Sequence, residues 1–484
     1  MPLPTKLLRV AAFLFFVTTT CVADDLRVGV ADVDITPLES YPMAGYFHER
    51  LSTGQRDPLR AKAIVMRDGE TSCAVAFCDM LGVSRDLYEE VRDQAAKATG
   101  IDPDQIVVSA THAHTAPDYF AELYRVQQQP DSEASKKSYA KYLSNQIVAA
   151  IVQANAAAVP VSIACGQTNQ ETPVSFNRRF VMRDGSVATW QNHRNPKVVR
   201  AAGPIDPEIG LLMFRSAADD QPLGVMSNFA LHLDTVGGTQ WSADFPFYIE
   251  QALRKHLGEQ TISLFGAGTC GDINHSNPNQ KERNKCDMIG DSLATTIVDA
   301  LPTLTKIESP RLQVSHAVVQ LPLQEVSPLE IERAQQLIPA AEAGEKIAMM
   351  DRVAAYRALH LYQLRHGEPV PDITPRRQVH SLRGVGASLP VDVTTIALGD
   401  QAAIVFLPGE VFVDIGLAIK RGSPYPTTLV VELANSNETM YIPTRGAFAG
   451  GGYEVINSAV APGSGEMLIE SALTQLRQLA TPGQ

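Results

Sequence analysis

The sequence predicts an α/β protein: a mixed β-sheet core flanked by helices, with the functional residues at the strand ends. Two observations carry this. Short apolar runs rich in β-branched residues alternate with amphipathic helical patterns along the whole chain. Clusters of histidine, carboxylate and amide residues then follow several of those runs directly, where α/β folds assemble sites from distant segments.

In chain order, the first residues, "MPLPTKLLRVAAFLFFVTTTCVADD", combine a basic start at Lys6 and Arg9 with the apolar stretch "AAFLFFV" and small residues before Asp24. This is the pattern of a secretory leader cut after Ala23, and the apolar run is shorter than the roughly 20 residues of a spanning helix. Residues 1–23 are therefore read as a signal peptide and the chain as exported, secreted or periplasmic. Strand-type runs follow at "AIVM" (63–66), "CAVAFC" (73–78), "QIVVS" (105–109), "GLLMF" (210–214), "TISLF" (261–265), "TTIAL" (394–398), "AAIVFL" (402–407) and "TTLVVEL" (427–433). One helix opens at Ser84, carries Leu87, Val91 and Ala95 on one face and stops before Gly100. Another opens at "SPLE", where Ser327 caps, Pro328 fits the first turn and Glu330 completes a capping box. Cys73 and Cys78 lie five apart, so in a strand they face opposite sides; they cannot chelate one ion and read as small core residues.

Composition narrows the function. After the leader about 460 residues remain, ample for a large core; length by itself would suggest two or three domains, but no Pro/Gly/Ser linker divides them, and residues 24–484 read as one domain. A net charge of −12 without any Lys/Arg cluster excludes a phosphate-backbone partner, so nucleic acid is not expected. Five cysteines survive leader removal, allowing at most two disulfides. "GAGTCG" (266–271) satisfies G-x-G-x-x-G after a strand, but "DINHSNPNQ" follows, too rich in Asn and Pro to open the helix a dinucleotide site needs.

The chemistry concentrates in "SATHAHTAP" (109–117). In an extended chain His112 and His114 would point the same way toward one target, and imidazole suits Zn, Fe, Cu or Ni alike. Two hydrogen-bonded loop histidines are the ordinary alternative. Four further strand ends carry comparable groups: "VMSNFA" leads to His232 and Asp234, "TISLF" to "GAGTCGDINH", "AIVFL" to "PGE" with Glu410, and "LVVEL" to "ANSNETMY" with Tyr441.

Taken in order, "ATHAHTAP", "NFALH", "GAGTCGDINH", "FLPGE" and "MYIPTRGAFAGGGYEV" resemble the successive motifs of the neutral/alkaline (non-lysosomal) ceramidase family. "VDITPLESYPMAGY" and "RDPLRAKAIVM" are similar to its N-terminal segments, and the resemblance runs from about Arg27 to "GSGEMLIESAL". Members are zinc amidohydrolases that cleave the N-acyl bond of ceramide. The resemblance implies that His112, His232, Glu410 and Tyr441 hold Zn2+, that His114 sits beside the ion, that Arg178 of "FNRR" lies near the site and that Asp272 belongs to the Gly-Asp motif. His114, Arg178, Asp272 and Tyr441 are then the catalytic candidates. It also implies a lipid amide substrate and peripheral contact with a membrane.

A catalytic zinc keeps few protein ligands and an open position, where bound water with a pKa of about 7 supplies hydroxide for attack on the amide. Tyr441 is the unusual member, since a phenol with a pKa near 10 must ionise to bind strongly, or else donates to the developing oxyanion. Ordinary roles stand against these: Glu410 as a cap after Pro408-Gly409, and Tyr441 as a core residue. Two departures qualify the resemblance. Many members carry Ser-Pro-Asn after the Gly-Asp pair, where this chain has Asn274 at the serine position, so a serine nucleophile is not expected. Typical members continue into a C-terminal β-sandwich domain, whereas this sequence stops at Gln484. The rival readings are a metal-dependent esterase or phosphoesterase on the same scaffold, and a non-catalytic lipid-binding or cell-surface protein.

Overall fold

The computed structural model describes residues 26–46, 48–368 and 381–481; the leader and its cleavage point lie outside them. Strands form where β-branched and apolar residues alternate, and the two faces of each strand enter different cores. In Arg60–Asp68, Ile64 and Met66 join one cluster while Ala63 and Val65 join another. Cys73 and Cys78 divide in the same way, and all five described cysteines are free and buried.

Two sheets result. The larger runs Ile262–Ala267, Pro222–Phe229, Glu208–Ser216, Val159–Asn169, Arg27–Asp34, Arg60–Asp68, Thr71–Cys78, Ile106–Ala110, mixing parallel and antiparallel neighbours. The smaller runs Leu312–Pro322, Ser388–Leu398, Ala402–Phe406, Thr427–Val431. The expected mixed sheet flanked by helices is present, and to it the structure adds this second sheet, packed on the first through Val28, Ile64, Val75, Leu212, Ile396, Ile404 and Leu429. Helices cover the outer faces: Arg85–Thr99 and Tyr139–Ala156 over one part of the large sheet, Phe245–Leu257 and Cys286–Ala300 over another, and Val413–Gly422 with Ser464–Ala480 over the small sheet.

The helix boundaries follow local chemistry. Ser84 accepts from the Leu87 N–H and Gly100 ends that helix in the left-handed conformation. Ser327 and Glu330 form the reciprocal capping box. Past Gly271 the chain makes the short strand Ile273–Asn274 rather than a helix. No helix among the described residues is long and apolar enough to cross a membrane.

Three parallel strand pairs fix where the site lies: Thr71–Cys78 with Ile106–Ala110, Pro222–Phe229 with Ile262–Ala267, and Ala402–Phe406 with Thr427–Val431. The large sheet curls until its edge strands Ile262–Ala267 and Ile106–Ala110 come together, and the chain leaving Thr427–Val431 bridges both, at Gly268–Val431 and Ser109–Ala434. Residues from both ends of the sheet thus meet at one rim.

Candidate metal centre

At that rim the histidine pair departs from the extended arrangement. The strand stops at Ala110, the Met80 carbonyl accepts from both the His112 and Ala113 N–H groups, and His112 turns to φ = 76°. The left-handed region is uncommon for a residue with a Cβ and is held here by those two bonds. As a result the His112 and His114 rings stand at 89° with centroids 4.8 Å apart, edge to face rather than side by side.

They nevertheless converge. His112 Nδ1 lies 2.7 Å from the Leu81 carbonyl, His114 Nδ1 3.1 Å from that of Gly45, and His232 Nδ1 2.9 Å from that of Cys270. A carbonyl only accepts, so each Nδ1 carries the proton and each Nε2 presents a lone pair. Arg178 agrees, since its Nη1, which only donates, sits 3.0 Å from His232 Nε2. The His112 Nε2 lone pair faces those of His232 at 3.0 Å and His114 at 3.3 Å. Glu410 Oε2 lies 3.4 Å from His112 Nε2 and 3.3 Å from His232 Nε2, buried and without a hydrogen-bond donor. Acceptors this close repel unless a cation lies among them, and an orphaned buried carboxylate oxygen is costly. The three imidazoles alone bring their ligand atoms within 4.8 Å of one another.

Charge states fit the same reading. Burial pulls His114 down to about 3 and His232 down to about 4, the latter helped by the Arg178 charge, so both rings are neutral. Burial alone would raise Glu410; only positive charge at the facing imidazoles would hold it well below the usual carboxylate range, and where the rings are neutral a cation among them would supply that charge. Burial, and then the Glu410 charge, push the Tyr441 phenol well above its ordinary value, so only a cation beside it would let it ionise.

Tyr441 reaches the cluster because Glu410–Val411 pairs in parallel with Tyr441–Ile442. Its hydroxyl accepts from Arg178 Nη2 at 3.0 Å. Arg178 is buried among the Trp190, Tyr441 and Tyr453 rings, and its Nε donates to Glu454 Oε1 at 2.7 Å. Asp272 stands further back. Its carboxylate accepts from the Val413 N–H and from Asn177 Nδ2, and its carbonyl accepts from the Arg178 N–H at 2.8 Å, so it fixes the segment that carries Arg178. Asn274 is buried, its Oδ1 accepting from the Ser276 N–H.

Gly271 shows how tightly these segments pack: a Cβ there would fall 2.7 Å from the Glu410 carbonyl oxygen. Gly271→Ala is expected to lower both the melting temperature and the metal content, measured on the purified variant; unchanged values for both would show that the Glu410 strand yields freely.

Sequence reasoning did not single out three of these groups. Glu454, fully buried, sits in the quoted "GGGYEV" and pairs with Arg178 and Arg179. His275 Nδ1 pairs with Asp234 Oδ1 at 2.9 Å beside the cluster. Glu432 and Cys270 bond to each other behind it. The available signal was position alone, an acid next to a motif tyrosine or at a strand end.

His112, His114, Glu410 and Tyr441 line a cleft of about 60 Å³. Through Tyr46, Met440 and Asn457 it adjoins a chamber of about 380 Å³ between residues 41–46, Phe120–Gln128 and Met349–His366, lined by Met43, Leu359 and Tyr356 together with Asp118 and Glu122.

Residues 26–244 match the family model described as neutral/alkaline non-lysosomal ceramidase, N-terminal. No curated protein matches in sequence. Among solved structures, the chain is similar to the neutral ceramidase from Pseudomonas aeruginosa at 17% identity and a TM-score of 0.67, covering 95% of this chain and 76% of that one. A ceramidase complexed with C2 matches at 16% identity and a TM-score of 0.67, with the same coverage of 95% and 76%. These two solved structures agree in fold with nearly the whole chain, and the family model matches its residues 26–244.

Proposed function

We propose that the protein is an exported zinc-dependent amidohydrolase that cleaves the N-acyl bond of ceramide or a related N-acyl lipid. The observation that carries the metal is the Glu410 Oε2 orphan facing two Nε2 lone pairs. His112, His232, Glu410 and Tyr441 would hold the ion. Nitrogen donors suit zinc and do not suit magnesium or calcium, which take oxygen. Bound there, zinc supplies a Lewis acid and a water acidic enough to attack at neutral pH. The family match supports the amide as substrate.

The chain's own groups do the rest. Arg178, a cation at any accessible pH, holds the Tyr441 hydroxyl in place while Glu454 fixes the guanidinium. His114, one step outside the Glu410 pair, is placed to stabilise the oxyanion or to pass a proton toward the leaving nitrogen. The small cleft admits the amide, and the chamber beside it, at the lower end of the roughly 300–1,000 Å³ usual for small-molecule sites, takes one arm of the substrate. Export rests on the leader, and the N-terminal sequence of the exported protein should begin at Asp24.

The test is metal analysis of the purified protein followed by product detection on amide, ester and phosphate substrates, N-acyl lipids among them. Chelation is expected to abolish fatty-acid release, and zinc to restore it better than magnesium. Hydrolysis that survives exhaustive chelation in a verified metal-free sample refutes the metal mechanism; lipid capture without turnover in the zinc-loaded protein refutes the enzyme.

A further inference from the structure

Glu432 is fully buried just past the strand Thr427–Val431 and bonds to the segments that lead to His112 and Glu410 and to the one that holds the His232 ring. Its Oε1 accepts from Cys270 Sγ at 3.0 Å, and the carbonyl of that same Cys270 accepts from His232 Nδ1. Its Oε2 accepts at 2.6 Å from the N–H of Val411, the residue after Glu410. Its own carbonyl accepts from Ser109 Oγ at 3.1 Å, on the strand that leads to His112, and its N–H donates to the Ala267 carbonyl at 3.0 Å. Leu433 continues the pattern: its N–H donates to the Gly409 carbonyl and its carbonyl accepts from the Ala110 N–H, each at 3.1 Å, with the residue held at φ = 57°. A buried carboxyl in an otherwise apolar layer is unfavourable unless its bonds are needed.

We infer that Glu432 is a positioning residue that locks together the segments bearing His112, His232 and Glu410, and thereby sets the metal affinity of the centre. It lines neither the cleft nor the chamber. Partners behind metal ligands fix ligand orientation, and losing one typically weakens metal binding by about 10–100-fold. The inference rests on the metal reading given above.

The experiment measures the zinc dissociation constant by competition with a chromophoric chelator, alongside the melting temperature of each zinc-free protein. Glu432→Leu keeps the bulk and removes both side-chain acceptors; Glu432→Gln keeps an acceptor for Val411 and a polar partner for Cys270; Cys270→Ala removes one bond only. Glu432→Leu is expected to bind zinc about 10–100-fold more weakly, Cys270→Ala to lose less, and Glu432→Gln to restore affinity close to wild type. A lower melting temperature with unchanged zinc affinity in Glu432→Leu makes the residue merely structural and overturns the inference. If Glu432→Leu does not fold, unchanged affinity in Cys270→Ala overturns it instead. A wild-type protein that binds no zinc overturns the metal reading as well, which separates the two failures.

Discussion

Glu410→Gln is expected to lose zinc and turnover together, with affinity falling by more than the roughly 100-fold that marks loss of a supporting partner. The substitution removes the carboxylate among the proposed ligands while keeping its size, so packing around Val411 and Gly271 has no reason to change. It also predicts an inverse effect on the metal-free protein. There Glu410 Oε2 is a buried charge without a donor, facing imidazole acceptors. A glutamine amide can donate to either Nε2, so the metal-free variant should melt at or above the wild-type temperature. Added zinc should then stabilise the wild type by about 2.7 kcal/mol at one hundred times its dissociation constant and leave the variant nearly unmoved. Full zinc occupancy with a normal rate in Glu410→Gln would return Glu410 to a cap on the segment after Gly409.

The second large effect separates the two histidines of "THAHT". His112 faces His232 and Glu410 and is proposed as a ligand, so His112→Ala should lower zinc occupancy with the rate falling in step. His114 lies nearest the cluster at His112 Nε2, at 3.3 Å, and its Nδ1 is tied to Gly45. His114→Ala should keep its zinc while kcat falls by about 10²–10⁴, the range for a lost general acid or oxyanion partner, with KM little changed. Zinc content, melting temperature and kcat on both variants decide it. Equal zinc loss in the two would make the pair a joint ligand, and stability loss with unchanged zinc in both would leave only loop hydrogen bonds.

Local rules were enough for much of the fold. The faces of Cys73 and Cys78, the Ser84 and Gly100 ends of one helix and the Ser327 capping box follow from residues at most a few positions apart, where backbone geometry leaves little choice. The order of motifs also placed His112, Arg178, His232, Glu410 and Tyr441 in one site. Only the tertiary structure decided how they meet. The His112–His232 contact spans 120 residues, Cys270–Glu432 spans 162 and Arg178–Glu454 spans 276. Such distances close because a curled sheet brings its two edges to one rim and a strand exit from the second sheet fills the gap, a property of the whole packing that no window of sequence contains. The turn at His112 belongs here too, for it depends on the Met80 carbonyl from a neighbouring strand end. Glu454 and Glu432 stayed hidden for the same reason: a buried acid is marked by the partners that surround it, and those partners are assembled only by the fold.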